Sequence, residues 1–424
     1  MSRAASVQLA DGRAISFSSD ALLQRRSFVS AAVAAPALLS WPAAFAQEDK
    51  WGAAGGYATG WGSPPRLSYY PALRVGNYSG GFEGMLRSRT VQCGAEQPLV
   101  RRMRDDIRYR WGFASHTVDD YLNAWPATGL LIARRGEVWV EKYRFDRTDQ
   151  MRMTGWSMSK SVTSLLMGIA LDKGLIISLD DTAAKYAPSL AGTLHGETTL
   201  RNLMNMSSGA AVMHDVSNQQ IYPKALSDRN SNIEATVRGW NERQEPQGSR
   251  FNYNELCPLT VGLVLRAVTG KSLAAFAQEQ LWIPLGAEGN ATWLTDSTGQ
   301  EFNCIGFAAR LRDWARLGQL VAQRGEMNGR QIVSRTWMDS YSRWDAGDAQ
   351  VRFGAISGRS GAGYKSLMWH AKADGSQPYF NGADGQRVFI DLPTQTVLVQ
   401  TGVDSAGDWP RELSAMFQAV VEMA

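Results

Sequence analysis

The sequence predicts an α+β fold: an antiparallel sheet built from both ends of the main domain, with flanking helices and a mostly helical region inserted between its strands. Two observations carry this reading. Runs rich in β-branched and aromatic residues stand near both ends of the domain, in "GLLIARRGEVWVEKYRF" (129–145) and "GQRVFIDLPTQTVLVQTG" (385–402). Between them, apolar residues recur at helical spacing, punctuated by glycine. Strands at both ends with helices in the middle make one sheet with an insertion, the helical region covering about 186–310.

The elements follow in order. Residues 24–46 read QRRSFVSAAVAAPALLSWPAAFA, with Arg25-Arg26 ahead of an Ala-rich apolar run and Ala44-Phe45-Ala46 as an A-x-A cleavage pattern. Residues 1–46 read as a twin-arginine-type signal, with a mature chain from about Gln47 and a periplasmic or secreted destination. A membrane anchor and a buried N-terminal helix are the other readings; Pro36, Ser40 and Pro42 interrupt the run, which falls short of a ~20-residue span. Residues 47–125 form a loop-rich extension, broken by Pro64-Pro65 and Gly80-Gly81 and ending in a short helix, "TVDDYLNAW". The main domain is 126–424. Its hairpin at 129–145 turns at Gly136, and "SVTSLLMGIALDKGLI" is a helix closed by Gly174. "SLDDTAAKYAP" is a loop and short helix, and "TTLRNLMNMSSG" a helix of about two turns. Residues 210–250 are a polar loop placed to cover a site. "NELCPLTVGLVLRAVTGKSLAAFAQEQLW" is helical with a break at Gly270, and "FAARLRDWARLGQLVAQRG" and "PRELSAMFQAVVEM" are further helices.

The 424 residues are 44% hydrophobic and 20% charged, ordinary globular values. The net charge of +4 is spread without a basic block, so neither nucleic acid nor an anionic membrane surface is an expected partner, and no stable membrane insertion is expected. Cys93, Cys257 and Cys304 fit no zinc spacing; they are three thiols, or one bridge and a free thiol if the chain is exported. His116, His195, His214 and His370 stand far apart, without an HExxH pair, so no metal and no organic cofactor is expected.

The chemistry centres on Ser157 and Lys160. Residues three apart share a helix face, and a helix start points N–H groups at developing negative charge. A serine becomes a nucleophile when a base takes its proton, and lysine is that base only if its pKa falls from about 10.4. Trp156, Met158, Val162, Leu165 and Leu166 supply apolar surroundings that favour such a fall. A solvated lysine at the mouth of a helix is the alternative. Tyr253, in "RFNYNEL" before a long helix, is a proton shuttle or a packing tyrosine. Gly382 and Gly385, in "YFNGADGQRVFIDLP", allow close backbone approach to a substrate or form a turn before a hairpin.

Taken together, Ser157-Met158-Ser159-Lys160, "LMNMSSG", Phe251-Asn252-Tyr253, "LWIPLGAEGNATWLTDSTG", "RLRDWARLG" and "GADGQRVFIDLP" resemble the serine β-lactamase and penicillin-binding-protein superfamily over about 125–424. Within it the chain is most similar to 6-aminohexanoate-dimer hydrolases and family VIII carboxylesterases. The resemblance implies a β-lactamase/transpeptidase-like fold and a hydrolase of small amides or esters. It makes Ser157 the acylated nucleophile, Lys160 its base or the holder of the proton network, and Tyr253 the relay to the leaving group. It implies an oxyanion hole from the backbone N–H groups of Ser157 and Ala383, and substrate contacts from Phe380, Asn381, Gly382 and Tyr222. Two departures turn the expectation from β-lactams toward amides and esters. Phe380 stands where the family's Lys-Thr-Gly motif has its cation, and Asn254-Glu255 follow Tyr253 where class C enzymes have Ser-Asn. A β-lactamase or DD-peptidase is the alternative activity, and an inactive binding protein of the same fold the alternative class.

Overall fold

A computed structural model describes residues 82–83, 86–125, 127–145, 147–211, 230–345, 348, 363–402 and 407–423, with two dipeptides near the N-terminus. The chain divides into two units, Met1–Gln47 and Glu48–Ala424. In the first, Val7–Gln8 pairs antiparallel with Ala14–Ile15; the twin-arginine run at 24–46 lies outside the described residues.

The second unit begins, within the described residues, with β1 (Ser88–Val91), β2 (Val100–Arg101), β3 (Arg108–Trp111) and β4 (Ala114–Thr117). The extension is therefore richer in strands than its breakers suggested. Thr117 and Asp120 form a capping box that starts α1 (Val118–Ala124), the helix expected in "TVDDYLNAW". The expected hairpin is β5 (Ala127–Arg134) and β6 (Glu137–Tyr143). Arg135 and Gly136 both take positive φ, 51° and 80°, so the two-residue turn follows the right-handed twist of its strands. Next come β7 (Arg152–Thr154) and α2 (Met158–Asp172), followed by Gly174 at φ 66°. The helical region includes α3 (Leu200–Met204) and α4 (Leu256–Thr269), the latter stopped by Gly270 in the left-handed conformation. After it come β8 (Ala291–Leu294), β9 (Phe307–Arg310) and α5 (Leu311–Ala322). The chain finishes with β10 (Gly363–Lys365), β11 (Met368–His370), β12 (Pro378–Asn381), β13 (Arg387–Asp391), β14 (Thr396–Gly402) and α6 (Trp409–Glu422).

Eight strands make the main sheet, in the order β10-β11-β12-β13-β14-β5-β6-β2. The two ends of the domain meet where β14 pairs antiparallel with β5, Leu398 opposite Ile132 and Val399 opposite Leu131. The sheet is thus built from both ends, as the two strand-rich segments predicted. Only β2 runs parallel to its neighbour, β6. Consecutive residues of a strand face opposite sides. Val388 faces α5, where Gly318 lies so close that a Cβ would come 2.8 Å from the valine side chain. Phe389 stacks on Phe417 of α6 at 5.3 Å, so the two helices cover opposite faces.

A second sheet, β1-β8-β9-β7, corrects one expectation. "FAAR" is a strand rather than the start of a helix, because Phe307–Arg310 pairs with β7 and β8 and Arg310 stays extended at ψ 154°. The 210–250 stretch holds a helix, Ile233–Gly239, capped by the Asn232 side chain; residues 212–229 lie outside the description. Helix α2 is buried on every side from Met158 to Ala170, and its polar residues bond other segments. The Ser161 hydroxyl donates to the Leu367 carbonyl at 3.2 Å, and that of Thr163 to the Asn303 carbonyl at 3.1 Å. This ties the start of α2 to both sheets.

Candidate active site

The turn from β7 into α2 has little freedom. A Cβ on Gly155 would fall 2.3 Å from the Trp314 ring, so only glycine fits there. Trp156 takes φ 47°, a left-handed conformation that costs an L-residue about 1–2 kcal/mol. Packing holds it: the ring is buried and meets Phe82 edge-on at 5.2 Å. Ser159 fastens the turn from the other side, donating from Oγ to the Trp156 carbonyl at 2.6 Å and accepting from the Phe307 N–H at 2.9 Å. Ser157 is thereby presented as the N-cap residue of α2.

Lys160 Nζ lies 2.9 Å from Ser157 Oγ, 3.0 Å from the Cys304 carbonyl oxygen and 2.7 Å from Glu255 Oε2. The lysine is therefore not a solvated charge; its side chain is 2% exposed and that of Glu255 0%. Burial pushes the ammonium down, but the Glu255 carboxylate, aided by Tyr253 and Cys304, outweighs it and holds Lys160 above the ordinary lysine range. This corrects the expectation that apolar surroundings lower its pKa, because the carboxylate that reverses the sign comes from α4.

Tyr253 completes the cluster, with its phenol hydrogen-bonded to both Ser157 and Lys160. Burial raises its pKa against the pull of the Lys160 cation. Its ring sits in an aromatic group, 5.4 Å from Trp369, 5.9 Å from Tyr364 and 6.3 Å from Phe251. Asn254 accepts from the Cys257 N–H at 3.0 Å and donates to the Asn252 carbonyl at 2.7 Å, which shapes the chain around the phenol.

On the opposite wall, a Cβ on Gly382 would fall 2.3 Å from the Gly155 carbonyl oxygen. Only glycine lets the end of β12 touch the turn that carries Ser157. Ala383 opens a short 3₁₀ turn, Ala383–Gly385, and is exposed. Among the described residues, neither the Ser157 nor the Ala383 N–H has a backbone acceptor. Arg387 fixes this turn by donating to the carbonyls of Gly382 at 2.7 Å and Gln386 at 2.6 Å, with its guanidinium 5.0 Å over Trp409.

The structure brings Ser157, Lys160 and Tyr253 into mutual contact and sets Gly382 against the turn before the serine. Asn381 is half-buried opposite Arg387. Phe380 corrects its expected substrate contact: it is fully buried opposite Val388 and belongs to the core. Tyr222 lies outside the described residues. Sequence reasoning missed Glu255 as partner of Lys160, and Ser159 and Arg387 as supports of the two turns. The i, i+2 step from Ser157 to Ser159 was visible, but its acceptor on Trp156 requires the left-handed turn. The three cysteines are free thiols, and no group of His, Cys, Asp and Glu among the described residues could hold a metal.

A two-sheet domain with a buried central helix, whose first turn pairs a serine with a lysine, defines a class of protein. The Beta-lactamase family model matches residues 115–368, more than half of the chain, and the chain belongs to that family. It is 23% identical over 300 residues to a 6-aminohexanoate-dimer hydrolase of Paenarthrobacter ureafaciens, covering 66% of this chain and 72% of that one. Among solved structures, a Bacillus anthracis protein provisionally named as a 6-aminohexanoate-dimer hydrolase superposes with a TM-score of 0.72 at 22% identity, covering 83% of this chain and 94% of its own. A family VIII carboxylesterase superposes with a TM-score of 0.55 at 17% identity, covering 72% of this chain and 96% of its own.

Proposed function

We propose that the protein is a serine hydrolase that cleaves a small amide or ester through an acyl-enzyme on Ser157. The 2.9 Å contact between Lys160 Nζ and Ser157 Oγ, shared with the Tyr253 phenol, carries this reading. Ser157 attacks the carbonyl carbon and its proton enters the Lys160–Tyr253 network. The Tyr253 phenol hands a proton to the departing amine or alcohol. Water then repeats the sequence on the acyl-serine. The N–H groups of Ser157 and Ala383 receive the developing oxyanion, which the contact of Gly382 with Gly155 supports.

Linear amides and short esters are the expected substrates, in keeping with relatives named as amide and ester hydrolases. β-Lactams are expected to turn over poorly. Phe380 supplies no cation for their carboxylate, and Arg387 is committed to the Gly382 and Gln386 carbonyls. Export on the twin-arginine signal is part of the proposal, and Arg25-Arg26→Lys-Lys is expected to leave the precursor in the cytoplasm.

A fluorophosphonate probe tests the chemistry, with a short p-nitrophenyl ester, a linear 6-aminohexanoate amide and a chromogenic cephalosporin as substrates. Wild type is expected to be labelled and to turn over the first two, and Ser157→Ala to lose labelling and at least about a hundredfold in rate. An unlabelled wild type would indicate a binding protein. Efficient cephalosporin hydrolysis would move the assignment to a β-lactamase.

A further inference from the structure

Glu255 is the N-cap residue of α4, yet its side chain makes no capping bond. It turns inward to Lys160, fully buried, and the Cys304 thiol bonds the same carboxylate. Among the described residues, the titratable groups that interact with this pair are Tyr253 and Cys257 flanking it along the chain, Cys304 from the segment before β9, and Tyr364 from β10, with the Ser157 hydroxyl at the start of α2. Glu255 is the one carboxylate among them.

An ammonium has donors and no acceptor, so Lys160 must shed a proton before it can take one from Ser157. Its side chain is 2% exposed, which closes the direct route to solvent. Among the described residues, Nζ meets Ser157 Oγ, the Cys304 carbonyl oxygen, Glu255 Oε2 and the Tyr253 phenol, and burial raises the pKa of that phenol, so it stands protonated and takes no further proton. A carbonyl oxygen does not hold a proton at neutral pH, and Ser157 is the group being deprotonated. The carboxylate remains. Burial penalises both charges by several kcal/mol, which draws the ion pair and its neutral tautomer together in energy.

We propose that Glu255 is the proton-holding partner of Lys160, so that the base acting on Ser157 is the Lys160–Glu255 pair and not the lysine alone. The proposal rests on the reading of Ser157 as nucleophile. A proton passes from Lys160 Nζ to Glu255, and the neutral amine takes the Ser157 proton as the Oγ–C bond forms. As the C–N or C–O bond of the substrate breaks, Tyr253 protonates the leaving group and is reprotonated by Lys160. Glu255 returns its proton to the lysine, leaving the ion pair as it began. Glu255 touches no substrate atom and is a positioning residue for the proton.

The test is Glu255→Gln, which keeps shape and removes the proton acceptor, assayed for kcat, KM and pH profile beside wild type and Glu255→Asp. The proposal expects kcat to fall at least about a hundredfold at neutral pH with KM little changed. The residual rate should climb with pH, since the lysine proton must now reach solvent, and Glu255→Asp should recover part of the loss. An amide variant within about threefold of wild type would overturn it. So would a loss of rate with the wild-type pH profile, which marks a merely structural role. If the amide variant melts too low to assay, Glu255→Asp is decisive: a drop of about tenfold or more supports the proposal and an unchanged rate overturns it. Wild-type labelling by the fluorophosphonate separates this from the parent reading, whose failure would show there whatever Glu255→Gln does.

Discussion

Lys160 and Glu255 face each other at 2.7 Å with both side chains closed to solvent. The pair joins the first turn of α2 to the start of α4, so it contributes to the fold as well as to the chemistry. Removing one member of a buried pair strands the other charge and costs about 3–5 kcal/mol, whereas removing both is often close to neutral. Lys160→Ala is therefore expected to lower unfolding stability by about that amount and to abolish turnover. Lys160→Met combined with Glu255→Gln is expected to recover most of the stability and none of the activity. Urea denaturation of wild type, Lys160→Met, Glu255→Gln and the double variant measures the coupling, and additive losses in the double variant would count against a stabilising contact.

Tyr253→Phe removes the hydroxyl that bonds Ser157 and Lys160 while keeping the ring against Trp369. The fold should persist and turnover should fall, by about 10²-fold or more on a linear amide and far less on a p-nitrophenyl ester. An amine must be protonated to leave, whereas p-nitrophenolate leaves unaided. Equal losses on both substrates would exclude the phenol as proton donor.

How much of this was legible before the structure depended on the range of each interaction. The β5–β6 hairpin and helix α2 are local patterns, and the Ser157–Lys160 spacing is local too, so periodicity exposed them. "FAAR" misled because its four residues continue smoothly into the amphipathic α5, and only pairing with β7 and β8 makes it a strand. Glu255 was visible as a departure from the family pattern, but its role was not. The sign of the Lys160 shift depends on a carboxylate from another helix, and that contact leaves no trace in spacing. Phe380 was read from its motif as a substrate contact, yet which face of β12 meets the core is decided by the register against Val388.

Two buried histidines weaken the fold as the pH falls. Burial pushes His195 down to about 4, helped by the nearby Arg243 cation, and His370 down to about 3, helped by Lys365. Both values lie below the unfolded value of about 6.5, so below that pH the unfolded chain binds more protons than the native one. Their contribution is fully present above about pH 6.5 and is lost as pH falls through the folded values, at up to about 1.4 kcal/mol per pH unit for each histidine. Burial raises the Asp313 carboxyl to about 7, which opposes one histidine over the same window, so the urea midpoint is expected to fall gently below about pH 6.5 and His370→Gln to remove most of that slope. A midpoint level down to about pH 4 would contradict neutral buried rings.

The oxyanion proposal can be tested by deleting a single donor. Ala383 is exposed, and it is the first residue of its 3₁₀ turn, the position where proline is best accepted. Gly382 before it is extended, at φ −128° and ψ 158°, the conformation a following proline favours. Ala383→Pro should therefore fold like wild type while losing only the N–H aimed at the oxyanion. The expected result is a fall in kcat of about 10²–10³ with KM little changed, since the bond forms in the transition state and not with the resting carbonyl. Ala383→Gly keeps the N–H and serves as the control, with a rate within about threefold of wild type expected. The cost of the proline should be similar for the p-nitrophenyl ester and the amide, because both pass through the same tetrahedral oxyanion. That separates it from the leaving-group dependence of Tyr253→Phe. A proline variant that melts like wild type and retains its kcat would show that the oxyanion is held elsewhere.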